Sequence, residues 1–200
     1  MEYSNPINAP FIDEYVDLLT SVVVEGNQRP LDVFNCLSRE GKKLMIGAIT
    51  ISISRFHEFE PRLFLQLLHK YGKLDGELLE IINKENECRE YFSKIKELEN
   101  RNAYDEITKL PKPELYTQIS SIDEVMEDAF KDKLLLNYDD KKEYIDEMIQ
   151  QFACTGSYHT YITLIYINHN FSKYDGELSK KARSVLDDAL IARKLYLVNS

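Results

Sequence analysis

The chain reads as an all-α protein, a helical bundle or short stack of helix hairpins. Two observations predict this. Apolar residues recur three and four positions apart along most of its length, and residues that start or stop helices punctuate those runs. Only one stretch, Gly47-Ala-Ile-Thr-Ile-Ser-Ile-Ser54, alternates as a strand does, and no second alternating run exists to pair with it. A third feature concerns internal organisation. Lys73-Leu-Asp-Gly-Glu-Leu78 returns as Lys173-Tyr-Asp-Gly-Glu-Leu178, and each copy has a histidine four residues before its lysine, His69 and His169. A duplication giving two similar four-helix halves is the architectural expectation.

Taken in order, residues 1–9 are expected to form a flexible arm, with Pro6 and Pro10 marking where order begins. Phe11, Ile12, Tyr15, Val16, Leu19, Val22 and Val23 then give one helical face that Gly26-Asn27 stops. Pro30 opens a segment carrying Leu31, Phe34 and Leu37, and Ser38-Arg-Glu-Gly41 is a candidate break. The Gly47–Ser54 run is assigned to buried helix, because its counterpart in the second half, Glu147–Cys154, is helical in pattern. Pro61 suits the first turn of a helix with Leu63, Phe64, Leu67 and Leu68 inward, ending near Tyr71-Gly72. Asp75 is placed to cap the next helix, which the stripe Leu78, Ile81, Ile82, Cys88, Phe92, Ile95 and Leu98 extends to about Arg101.

Asn102 and Leu110-Pro-Lys-Pro113 mark residues 102–113 as the linker, with room for a short helical piece, between half 1 (10–101) and half 2 (114–200), the two packing as one globular unit. Ser121-Ile-Asp-Glu124 has capping-box spacing, so Ser121 is expected to start a helix carrying Ile122, Val125, Met126, Ala129, Phe130 and Leu134. Asn137-Tyr-Asp-Asp140 precedes a helix burying Tyr144, Ile145, Met148, Ile149 and Phe152, which Thr155-Gly156-Ser157 ends. Tyr158–Phe171 is apolar around its whole circumference, the pattern of a central helix. Asp175 is placed to cap the last helix, with Leu178, Ala182, Val185, Leu186, Ala189, Leu190, Arg193 and Leu197 inward.

Charge and motif content narrow the function classes. A net charge of −9 disfavours non-specific nucleic-acid binding, which needs Lys and Arg against phosphates. No apolar run reaches the roughly 18–20 residues of a membrane span, and the polar, acidic start is unlike a signal peptide. Cytoplasmic location without membrane association is therefore expected. The cysteines Cys36, Cys88 and Cys154 are odd in number and far apart, and read as reduced core thiols. No cofactor is implied: the sequence lacks G-x-G-x-x-G, the phosphate-binding lysine loop, G-x-S-x-G and H-E-x-x-H.

The Asp-Gly-Glu segments lack the ligand spacing of an EF-hand, and helix capping is their reading. The acid pairs Asp139-Asp140, Asp187-Asp188 and Glu97 with Glu99 read first as solvated faces. His57, His69, His159 and His169 show no metal-ligand spacing, and His69 and His169 suit helix C-termini. Thirteen tyrosines without a tryptophan are the positive signal, since tyrosine serves as an interface anchor. Tyr158, Tyr161 and Tyr166 point around one helix, so at least one is expected at a surface or groove; with Asp139 and Asp140 they are the candidate partner-binding residues.

The functional expectation is a non-enzymatic protein-binding module with a basic protein partner, an inhibitor or immunity-type protein. A viral or phage antagonist of host defence is a variant of this. The reading from another class is an all-helical metal-dependent hydrolase whose ligands converge only in three dimensions.

Overall fold

The computed structural model describes residues 29–56 and 59–200, and among them every regular element is helical. The expected arm at 1–9, the Phe11–Val23 helix and His57 lie outside the described residues. In chain order the helices are α1 (Arg29–Cys36), α2 (Arg39–Phe56), α3 (Phe59–Lys70), α4 (Gly76–Ile82) and α5 (Glu85–Asn100). There follow α6 (Tyr104–Ile107), α7 (Glu114–Lys133), α8 (Tyr138–Thr155), α9 (Tyr158–Phe171) and α10 (Gly176–Asn199).

These helices group into two compact units that interleave along the chain. One holds Lys43–Ser121, and the other holds the described residues up to Lys42 together with Ile122–Ser200. The boundaries therefore fall inside α2 and α7. Residues 102–113, read from sequence as a linker, lie within the first of these units and carry α6.

In the Lys43–Ser121 unit, the alternating isoleucines are helical. Ile49 and Ile53 are fully buried and Ile51 nearly so, because neighbours cover α2 on several sides. The hydroxyls of Thr50 and Ser54 donate back to the Ile46 and Thr50 carbonyls, at 2.8 and 2.7 Å, which lets polar side chains sit in that apolar helix without unmet hydrogen bonds. Gly47 faces the Leu115 and Ile119 side chains of α7 so closely that an added Cβ would lie 3.1 Å from each. The long helix expected from Asp75 to Arg101 is divided. Asn83 and Lys84 separate α4 from α5, and the Lys84 N–H turns to the Ile81 carbonyl, three residues back, which tightens the chain out of the α-helical pattern.

In the other unit, α8, α9 and α10 pack on one another and α1 packs on α10. Tyr138 at the start of α8 meets Asp175 and Leu178 at the start of α10, and Ala153 near the end of α8 meets Arg193 far along α10. Hence α8 and α10 run parallel, with α9 returning between them. Buried Lys141 of α8 ties the connection from α7 to the end of α9: its ammonium donates to the Leu136 carbonyl and lies over the Phe171 and Tyr174 rings at 5.7 and 5.0 Å.

Ser121 does not start a helix. Pro113 precedes the first residue of α7, Glu114, and buried Leu115 and Ile119 carry its first turns inward, so Ser121 is an exposed interior residue whose hydroxyl donates to the Gln118 carbonyl at 2.9 Å. Cys154 departs from the core-thiol reading. Cys36 and Cys88 are buried, and burial raises both thiols, Cys88 to about 11, but Cys154 faces solvent.

Candidate interaction surface

The two Asp-Gly-Glu segments both begin helices, by different chemistry. Asp75 has extended backbone and its carboxylate accepts the Leu78 N–H at 3.2 Å, the side-chain cap expected. Asp175 holds the N-cap position of α10 without a side-chain cap bond. Its place is taken by Tyr138, whose hydroxyl accepts the Leu178 N–H at 3.0 Å and donates to the Asp175 carbonyl at 3.1 Å. The glycine that follows is specialised accordingly. Gly176 sits at φ +74, in the left-handed region, and a Cβ there would lie 2.9 Å from the Tyr138 hydroxyl, whereas Gly76 has open space around it.

The candidate tyrosines are a correction. Tyr158, Tyr161 and Tyr166 are all buried, with at most 2% exposure, and none reaches a surface. The reason is that α9 is enclosed from several directions. Tyr161 meets Phe152 of α8 at 6.1 Å between ring centres, Tyr166 meets Phe130 of α7 at 5.5 Å, and on another side the Asn168 amide donates to the Ala182 carbonyl of α10 at 2.9 Å. Rings pointing different ways therefore each find protein rather than water. Asp139 and Asp140 are exposed in the first turn of α8. Asp139 pairs with Lys142 at 2.9 Å, and Asp140 takes part in the Asn137 cap, its N–H donating to the Asn137 Oδ1 at 2.8 Å.

The described histidines are divided between the two units. His69 stands in the last turn of α3 in one unit, and His159 and His169 stand at opposite ends of α9 in the other, about 15 Å apart along a helix rising 1.5 Å per residue. Among the described residues no group of three or more His, Cys, Asp or Glu side chains is arranged to hold a metal ion.

Among the described residues, exposed apolar side chains cluster at the C-terminal end of α10. Up to Arg193 this helix buries Leu178, Ala182, Val185, Leu186, Ala189 and Leu190. Arg193 roots the helix: its Nε donates to the Cys36 carbonyl at 2.9 Å and its Nη1 to those of Ala153 and Cys154 at 2.8 and 3.1 Å. These are carbonyls from the ends of α1 and α8, where helices leave acceptors unmet and where a cation meets the negative pole of the helix dipole. Gly156, at φ +59, lets the chain turn beneath this guanidinium, and a Cβ there would stand 2.7 Å from the Cys36 carbonyl.

Beyond Arg193 the inward face ends and α10 continues with all its sides exposed. Leu197, read as inward, is 46% exposed, and Arg193 is the last buried side chain of α10. Ile191, Leu195 and Val198 are 58, 59 and 84% exposed, and their spacing of four and three places them in one stripe. One turn earlier on that stripe stands exposed Asp188. Its carboxylate accepts only the Ser184 hydroxyl, at 2.7 Å, and no cation among the described residues pairs with it. The neighbouring charges are matched: Asp32 with Lys194 at 2.9 Å and Asp187 with Arg29 at 3.9 Å. Sequence reading missed this face because Ile191, Leu195 and Val198 lie on the side of α10 opposite its buried stripe, where scattered apolar residues pass as part of a solvated face. No protein-family model, curated protein or solved structure matches the chain.

Proposed function

We propose that the chain is a protein-binding module of the inhibitor or immunity type, acting by covering a partner protein. The observation that carries this reading is the stripe of Ile191, Leu195 and Val198, because contiguous exposed apolar side chains beside polar ones are the usual mark of an interaction site. The occupant is a helix of the partner with an apolar ridge and a lysine or arginine one turn along it. The ridge matches the apolar stripe, and the cation answers Asp188, the unmatched carboxylate at its end, in a chain whose net charge is −9. Asp139 and Asp140 lie near the start of α8, roughly 20 Å along the bundle from the Arg193 root, and add to the field that draws a basic partner rather than to this contact.

The test uses two synthetic helical peptides with leucines at i, i+4 and i+7, one with lysines and one with glutamates on the flanks. Fluorescence anisotropy of the labelled peptides is expected to show the lysine peptide binding, more weakly as salt rises, and the glutamate peptide not binding. Equal binding of both, or of neither, overturns the reading.

A further inference from the structure

We propose that Asp123 is a proton-operated switch: the fold holds its side chain as the neutral carboxylic acid, and ionising it loosens the contact between α7 and α9. The geometry is the basis. Among the described residues Asp123 Oδ1 is shut off from solvent and has no hydrogen-bond partner, in a side chain that is part-buried as a whole. A carboxylate oxygen in that position keeps neither water nor a donor to offset its charge, whereas the neutral acid carries no charge to solvate.

The surroundings act in the same direction. On its own helix, Glu127 lies one turn further on, 4% exposed, with Lys131 against it at 3.3 Å, and Glu124 is adjacent. From α9 comes Tyr166, fully buried, whose phenol is pushed up by burial and then by the Asp123 and Glu127 charges. Among the described residues two acids and a phenol thus face Asp123, and Lys131 is shared between Glu127 and Asp128, at 3.3 and 2.9 Å. Burial foremost, then Glu127 and Glu124, push the Asp123 carboxyl up to about 7. The α7–α9 contact beside it rests on Phe130 against Tyr166 and Phe171, at 5.5 and 5.6 Å. A charge appearing next to Tyr166 is relieved by admitting water there, which separates those rings.

The sign follows from linkage. An acid raised in the folded state is protonated in the native chain while already ionised in the unfolded one, so its stabilisation is complete below about pH 4, declines from there to about 7, and is absent above. Asp123→Asn, which keeps the shape of the neutral acid, removes this dependence.

Two measurements on the full chain test the idea. The assigned Asp123 side-chain carboxyl carbon is expected to titrate near pH 7 by NMR. A midpoint in the ordinary range near 4 overturns the proposal whether or not the variant folds. The urea midpoint of the wild type is expected to fall relative to that of Asp123→Asn between about pH 4 and 7, with protection of the amides at residues 163–167, relative to their intrinsic exchange rate at each pH, falling only in the wild type. Parallel curves overturn it.

Discussion

Replacing Arg193 by methionine removes a charge at the point where three helices meet and keeps most of the side chain's length. The structure sets the magnitude. Arg193 is 7% exposed and donates to three carbonyls, of Cys36, Ala153 and Cys154. A hydrogen bond to a charged group contributes about 1.5–3 kcal/mol, and a buried acceptor left unmet costs about 1–3 kcal/mol. Against this, methionine recovers part of the cost of burying a guanidinium, several kcal/mol for an ion. A net loss of about 3–4 kcal/mol is expected, which lowers Tm by about 10 °C for a chain of 200 residues. Arg193→Lys should retain about half of the stability, because a single ammonium reaches one helix end but not both, whereas the planar fork reaches both at once. Urea unfolding followed by circular dichroism at neutral pH measures each variant. A loss under about 1 kcal/mol in Arg193→Met, or full rescue by lysine, refutes the assignment of Arg193 as the root of α10.

Other perturbations follow from the same geometry. Gly156→Ala places a Cβ against the Cys36 carbonyl from a left-handed residue, so a loss of at least about 2 kcal/mol is expected by urea unfolding; a neutral result contradicts the close packing described there. Tyr138→Phe removes the hydroxyl that bridges the start of α10 and should cost about 1 kcal/mol, with faster amide exchange at Leu178; unchanged exchange there contradicts the cap. Asp75→Ala should cost a similar amount, about 1 kcal/mol, and speed exchange at Leu78, and the same outcome would contradict it.

The helices were legible because their rhythm follows from burying one face, and Gly47–Ser54 shows the rule at its limit. Its isoleucines alternate, and the absence of a pairing strand decided for helix. Capping was legible only where the side chain acts locally. Asp75 reads out its own first turn, but the cap of α10 comes from Tyr138, about forty positions away, and no local pattern contains that. Ser121 failed for the converse reason, since S-x-x-E spacing also arises inside a helix that Pro113 has already started. At least one of Tyr158, Tyr161 and Tyr166 is expected at a surface or groove if the helix faces a single core, whereas α9 meets α7, α8 and α10. Burial set by distant segments, as at Asp123, leaves no trace in local spacing.

The central claim is that the exposed end of α10 is a contact face for a basic, apolar-ridged helix. Ile191→Ser with Leu195→Ser tests it most directly, because both side chains already face water and their loss should leave the fold intact, which circular dichroism verifies. The lysine peptide, titrated by anisotropy into the wild type and this variant at the same salt, is expected to bind the variant at least tenfold more weakly. That loss corresponds to about 1.4 kcal/mol, less than the transfer energy of one large apolar side chain. Superimposable isotherms for a folded variant contradict the claim.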